Sequence, residues 1–516
     1  MTVQLSQLLA GLHDVHVSGD ENVAVSSVVF DSRKVAPESM FVALRGGYAD
    51  GHNYLKVAQE AGAVAVLVES ETLEDAVAGF KCVVRTTNTR GMLAPLAAAF
   101  YSQPSQQLTV IGITGTDGKT TTSFYLHQML EHSGLSTGLI STVAVRVPGQ
   151  PDCSSARQTT PESLDVQRTL REIVDAGAEI AIIETTSHAL ETHRVDSCYF
   201  DVGVVTNITR EHLDFHGSIE NYRHAKGGLL RRVVQAQRAG KRGAVVLNAD
   251  DPGCQAVASH ALGSELLWYS VNNHPDAVMR AENIVALPDS NSFTLIVENA
   301  RCPVRLPLPG AWNVANALAA AGAAHMLGCD PASIAESIES LRPVPGRMEK
   351  IDLGQPFTVV VDYAHTPESI RSVLEEARRI TNGRVLVTFG SAGERDLEKR
   401  SLQGAIAAKL ADYSIFTSED PRFENPEQII AQIATGATEH GAVRGVDFDC
   451  VEDRRVAVSE LIGRARAGDV VILAGKGHER SMIYGAENRP WDEGQIAREA
   501  LQQMGFGPAN REGTQV

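Results

Sequence analysis

The chain has 516 residues, too many for one hydrophobic core, and predicts about three or four domains. Its 43% hydrophobic and 21% charged residues are the balance of an ordinary globular protein. A formal charge of -17 argues against nucleic acid or an anionic membrane as partner, because phosphate contacts need a basic surface. The seven cysteines are scattered and form no CxxC pair or Cys/His cluster, which points to a reducing cytoplasm and away from zinc. The N-terminus lacks a basic leader and no apolar run is long enough to span a bilayer, so no membrane insertion is expected.

Residues 1–107 read as a small α/β domain. Val25–Phe30, Met40–Leu44 and Ala63–Glu69 have strand patterns, and Tyr54–Gly62 a helical one. The turn Phe30-Asp31-Ser32-Arg33 and the Gly-rich loop Arg45–Gly51 read, on chemistry alone, as surface turns.

Residues 108–341 form a central block. Leu108–Thr114 is short, apolar and β-branched, the pattern of a buried parallel strand. Gly115 and Gly118 let the backbone bend and approach a ligand. From Lys119 the spacing turns helical and Gly134 ends it. Strand, glycine loop and a helix start with Lys-Thr make a phosphate cradle: backbone N–H groups and the helix dipole meet the anion, Lys119 adds charge, and a Thr hydroxyl reaches Mg²⁺. The spacing is not the standard one, since Ile113 stands where the first glycine belongs. Three further strands end in polar residues: Ile180–Glu184, Val202–Thr206 before Glu211–Gly217, and Ala244–Leu247 before Asn248–Asp251. That edge of an open parallel sheet is where ligands bind, so Glu184 and His212 are candidate metal ligands or bases. Lys226 lies on a predicted helix and on spacing alone reads as solvated surface. Asn313 and Asn316 share a face of an Ala-rich helix start, either as a cap or as ligand contacts.

Val344–Lys350 reads as an interdomain linker with Arg347 available to a phosphate. Residues 342–516 read as a second, Rossmann-like α/β domain. Its strands end in Asp362-Tyr-Ala-His-Thr-Pro367, Gly390–Asp396, Ser418–Pro426 and Ala474–Glu479, a second ligand-binding rim. The tail from about residue 505 reads as frayed.

Four of these motifs, Gly115–Thr121, Glu211–Gly217, Asp362–Pro367 and Gly475–Glu479, resemble in order and spacing the ATP-dependent Mur ligases of peptidoglycan synthesis. The similarity runs through nearly the whole chain and is strongest to the branch that adds a diamino acid to UDP-MurNAc-L-Ala-D-Glu. The resemblance implies three α/β domains, a cytoplasmic and monomeric enzyme, and small-molecule substrates. ATP would phosphorylate the D-glutamyl γ-carboxylate, and the amine would displace phosphate. Thr114, Gly115, Thr116, Asp117, Gly118, Lys119, Thr120 and Thr121 would hold ATP, with Asn316, Arg347 and Asp362. Thr120, Glu184, His212 and Lys226 would hold two Mg²⁺ ions, Lys226 as a carbamate. Phe30, Ser32, Gln158, Thr159, Thr160, Thr186, Thr192 and Arg194 match contacts to the UDP-sugar peptide. Thr192 replaces the common Gln there, Gln158 the common Asn, and Asp117 the common Asn of the phosphate loop. Arg395, Glu419, Asp420, Arg422, Gly475 and Glu479 match contacts to the diamino acid. Glu419-Asp-Pro-Arg422 departs from the Asp-Asn-Pro-Arg usual for meso-diaminopimelate. Arg422 suits a distal carboxylate, whereas an acid at Asp420 suits the bare ammonium of L-lysine or L-ornithine. The alternatives are another amide ligase of this architecture, such as a folylpolyglutamate synthetase-like enzyme, and a P-loop NTPase switch.

Overall fold

The computed structural model describes residues 2–46, 49–153, 158–287 and 289–507. Gly47 and Tyr48 of the expected surface loop, and the expected frayed tail from residue 508 onward, lie outside the described residues. The chain divides into two compact units. The first is Met1–Ile284 with Phe293–Val304 and Trp312–Ser340; the second is Val285–Ser292, Arg305–Ala311 and Leu341–Val516.

Among the described residues the first unit holds two large sheets and a two-stranded one. The large N-terminal one runs His16–Gly19, Cys82–Thr86, Ala65–Glu69, Ser39–Val42, Ser27–Val29, and only its first strand is antiparallel. The expected strand Val25–Phe30 is broken at Ser26. Ala24–Val25 turns aside to pair with Val3–Gln4, and Ser27–Val29 joins the main sheet. Met40, Val42, Leu67 and Val84 pack here against Leu93, Leu96 and Phe100 of helix Thr89–Phe100.

The central sheet places Thr137–Ile140, Ile180–Glu184, Thr109–Thr114, Val202–Val205, Ala244–Asn248 and Glu265–Ser270 side by side, all parallel. Both faces are covered, which is why these strands are continuous apolar runs. A Cβ on Gly112 would stand 2.5 Å from the Leu229 side chain. Glycine there lets helix Ile219–Arg238 press onto the phosphate-loop strand.

In the second unit the order is Glu349–Ile351, Thr358–Asp362, Val470–Ala474, Val385–Phe389, Tyr413–Phe416, Phe448–Cys450, with only the first strand antiparallel. The expected linker Val344–Lys350 is therefore partly an edge strand: Glu349 and Lys350 pair with Val361 and Val360. Val387, Phe389, Ile406 and Ile433 fill one face of this sheet; Val359, Leu386, Ile415 and Leu461 fill the other. Among the described residues no helix is long and apolar enough to cross a membrane.

Helices Glu398–Leu410 and Pro426–Glu439 meet backbone to backbone. A Cβ on Gly404 would lie 1.9 Å from the Ile433 carbonyl oxygen, and one on Gly436 1.9 Å from that of Ser401. Gly436→Ala should therefore overpack the contact, costing about 1–3 kcal/mol and lowering the first thermal transition by several degrees. Gly463→Ala, where a Cβ meets open space, should leave the transition in place. Equal melting of the two variants would contradict this packing.

Candidate active site

The end of strand Thr109–Thr114 sits between the ends of Ile180–Glu184 and Val202–Val205. Three loops thereby converge. Gly115 has φ 155° and Gly118 φ 80°. A Cβ at Gly118 would lie 2.3 Å from the Asn316 side-chain oxygen, so only glycine admits both the turn and the approach. Helix Lys119–His132 starts immediately after, with its first N–H groups at the loop.

The residues after the neighbouring strand clamp this loop. Thr116 N–H donates to the Asn207 carbonyl (2.8 Å) and Asp117 N–H to Asn207 Oδ1 (2.9 Å). Thr206 Oγ1 donates to the Asp117 carbonyl at 2.6 Å, and Thr116 Oγ1 lies 3.1 Å from the Tyr222 hydroxyl. Sequence reading missed Thr206 and Asn207; polar residues closing a strand beside a glycine loop were the available signal. Asp117 itself is exposed.

Thr120 Oγ1 donates to Glu184 Oε1 at 2.8 Å. The other Glu184 oxygen accepts from Ser141 Oγ (2.6 Å) and from the N–H and hydroxyl of Thr142 (2.9 Å each). A carboxylate at 1% exposure is thus held in one orientation by hydroxyls and an amide.

Lys226 is 1% exposed, so the solvated-surface expectation fails. Tyr222, Leu229 and Val233 share its helix face and are buried; that spacing was the missed signal. Its Nζ donates to the Gly115 carbonyl at 2.5 Å and lies 4.6 Å from the Tyr222 ring centroid. Lys119 Nζ donates to the same carbonyl at 3.0 Å and to that of Thr116 at 2.7 Å. Burial, then the neighbouring Lys119, push the Lys226 amine well below the ordinary lysine range. His212 has φ 53°, and its ring stands edge-on to His188 at 4.7 Å. Asn313 lies inside helix Ala311–Met326 rather than capping it, and accepts from the Tyr125 hydroxyl at 3.1 Å.

A chain of contacts runs from Glu184 to helix Thr89–Phe100, which packs on the N-terminal sheet. Thr160 Oγ1 donates to the Glu184 carbonyl (2.7 Å) and accepts from Thr186 N–H (3.1 Å). Arg194 donates to the Thr160 carbonyl (3.0 Å) and pairs with Glu162 (3.4 Å), which pairs with Arg90 (3.1 Å). Thr160, Thr186 and Arg194 are thus brought together, with Glu162 and Arg90 as additions that sequence reading missed. Thr192 donates to the His188 carbonyl of its own turn. Gln158 is exposed and Thr159 half-buried beside it. Phe30 packs on the N-terminal core, and Ser32 opens a turn capped by Asp31, as the surface-turn reading expects.

In the second unit Asp362 accepts from Met348 N–H and Ala364 N–H, both at 2.7 Å, which fixes the turn carrying Arg347. The Arg347 guanidinium stacks 4.6 Å above the Tyr363 ring. The loops after the next strands form one rim. Arg454, fully buried, holds Glu493 at 2.7 Å and donates to the Ser418 and Ala474 carbonyls. It thereby ties Glu419 to Gly475. Arg400, also fully buried, grips Glu424 with both terminal guanidinium nitrogens (2.8 and 3.0 Å) and reaches the Ala392 carbonyl, tying the Arg395 loop to the Arg422 loop. Asp420, expected to be an acid open to an ammonium, already accepts from Lys476 Nζ at 2.9 Å.

The Mur ligase middle domain matches residues 113–324, the Mur ligase glutamate ligase domain residues 346–477, and the Mur ligase family catalytic domain residues 24–101. A UDP-N-acetylmuramyl-tripeptide synthetase of Roseiflexus sp. (strain RS-1) is 43% identical over 493 residues, 94% of this chain and 96% of its own. A UDP-N-acetylmuramoyl-L-alanyl-D-glutamate–2,6-diaminopimelate ligase of Bacillus licheniformis is 38% identical over 503 residues, 97% of this chain and 100% of its own. A solved structure of a ligase of the latter name superposes with a TM-score of 0.66 at 28% identity, covering 98% of this chain and 100% of that one. Matched by three Mur ligase domain models and by relatives that cover nearly its full length, the chain belongs to the Mur ligase family of ATP-dependent ligases.

Proposed function

We propose that this chain joins a diamino acid to the D-glutamyl γ-carboxylate of UDP-MurNAc-L-Ala-D-Glu, at the expense of ATP, in cytoplasmic peptidoglycan precursor synthesis. It acts as a monomer on small-molecule substrates. The observation that carries the chemistry is the convergence of Lys119 and Lys226 on the Gly115 carbonyl at a helix N-terminus. The Lys119 cation and the amide donors gathered at that point call for a polyanion. The substrates rest on the names of the Roseiflexus and Bacillus relatives.

Thr114–Thr121 then cradle the ATP phosphates, with Lys119 turning from its own loop carbonyls to phosphate oxygens. Asn316, Arg347 and Asp362 are the further ATP contacts. Thr120, Glu184, His212 and Lys226 are the residues that would hold Mg²⁺, and what supports this is Glu184, a buried carboxylate already aligned with the Thr120 hydroxyl. When bound there, Mg²⁺ would offset phosphate charge, so that a carboxylate could approach the γ-phosphoryl group. Lys226 fits carbamylation, since burial favours its neutral amine. The nitrogen bonds to CO₂ carbon and loses a proton, and the side chain becomes an oxygen ligand. Phe30, Ser32, Gln158, Thr159, Thr160, Thr186, Thr192 and Arg194 bind the UDP-sugar peptide. Arg395, Glu419, Arg422, Gly475 and Glu479 contact the diamino acid, and Asp420 shapes the same site. The γ-carboxylate oxygen attacks the γ-phosphorus and ADP leaves. The amine then attacks the acyl carbon, loses its proton, and inorganic phosphate leaves.

Phosphate release should require ATP, Mg²⁺, UDP-MurNAc-L-Ala-D-Glu and a diamino acid together. Lys119→Ala should lower kcat about 10²–10³-fold with an unchanged circular dichroism spectrum. Hydrolysis of ATP that ignores the other two substrates would sink the ligase reading. Lys226→Ala should lose about 10–100-fold in turnover or more, and added acetate or formate should restore part of it. Turnover like that of the unaltered enzyme would remove the carbamate.

A further inference from the structure

Asp420 and Arg422 are both left-handed, with φ 38° and 53°. Neither is glycine, so the loop is held in this form by its contacts. Asp420 Oδ1 accepts from Lys476 Nζ (2.9 Å) and from Ile483 N–H (3.0 Å), and the Asp420 carbonyl accepts from Gly393 N–H (3.0 Å). Arg422 N–H donates to the Ile483 carbonyl at 3.0 Å. Asp420 thus faces inward, onto Lys476, while Arg422 extends from the same turn.

The Lys476 side chain is 0% exposed and also pairs with Glu479. Burial alone would depress its amine, but Glu479 and then Asp420 outweigh that and hold it above its ordinary value. Lys476 is therefore an internal cation shared by two acids. One negative charge of the three groups is left over, enough for a single substrate ammonium. Nearby, one Glu419 oxygen is buried without a hydrogen-bond partner, beside Gly475. The Arg422 Nε is buried and likewise unpartnered, and among the described residues neither the Arg422 nor the Arg395 guanidinium has an acid within ion-pair distance. The rim thus holds its spare positive charge on guanidiniums and has its Asp420 acid already matched.

Resting on the ligase reading above, we propose that Lys476 is a specificity-determining positioning residue. By holding the Asp420 carboxylate it withholds that acid from a substrate ammonium, and Arg422 is left to read a carboxylate at the far end of the diamino acid. A diamino acid with a terminal carboxylate pairs with that guanidinium. L-Lysine and L-ornithine leave it desolvated and unpaired, which is what selects against them.

The test uses the full chain with ATP, Mg²⁺ and UDP-MurNAc-L-Ala-D-Glu, comparing meso-diaminopimelate with L-lysine by kcat/KM. The unaltered enzyme should prefer diaminopimelate by at least about 10²-fold. Lys476→Met should cut that preference at least tenfold, mainly by raising the KM for diaminopimelate. Lys476→Met with Asp420→Asn should restore the preference to within threefold, because no stray acid remains. Loss that the double variant does not repair would make Lys476 a packing residue and overturn the proposal. Should Lys476→Met not fold, Asp420→Asn alone decides: a tenfold fall in lysine relative to diaminopimelate would mean Asp420 reads the ammonium directly, which overturns it. Good turnover with the wrong amine defeats this inference alone. No turnover with any amine defeats the ligase reading, and this inference with it.

Discussion

Two lysine side chains end on one backbone carbonyl. Lys119 and Lys226 both donate to the Gly115 carbonyl. One comes from the helix that follows the phosphate loop, the other from the helix pressed against the strand before it. Two ammonium charges this close in a partly dry site would repel, which together with burial drives Lys226 toward its neutral amine. In the proposed reaction a polyanion arrives beside Lys119, and the neutral Lys226 amine is the form that a carbamate needs. Much else in the first unit serves this point. Gly112 admits the second helix, Thr206 and Asn207 fix the loop, and Glu184 waits beside Thr120 with its orientation set.

The second unit uses buried arginines toward a comparable end. Arg454 and Arg400 are long, planar donors that bind carboxylates and carbonyls of separate loops at once. Removing either partner would strand a buried charge, so the loops keep one spacing. That spacing fixes where Glu419, Gly475, Arg395 and Arg422 stand along the rim. The left-handed residues of the recognition turn follow from the same restraint.

Short-range features were legible before the structure. The strand Thr109–Thr114, its glycines and the Lys119 helix follow from β-branching, turn chemistry and helical spacing within fifteen residues. The strands Ile180–Glu184 and Val385–Phe389 were plain for the same reason. Long-range facts were not. Lys226 looked solvated because a lysine says nothing of which face is buried, although Tyr222, Leu229 and Val233 did. The Asp420–Lys476 pair joins residues 56 apart, and the acid at 420 read alone suggested the opposite charge preference. The edge strand at Glu349–Ile351 escaped because Pro and Gly just before it read as a linker. Arg90 and Glu162 gave no local signal, since each matters through a partner 72 residues away.

The central claim is that the γ-phosphoryl group of ATP passes to the D-glutamyl carboxylate before the amine arrives. The most direct test labels both oxygens of that carboxylate with ¹⁸O and follows complete turnover with ATP and diamino acid. The account predicts one ¹⁸O in each inorganic phosphate released, because the attacking carboxylate oxygen leaves with phosphorus. Inorganic phosphate free of the label, alongside formation of the amide, would contradict it.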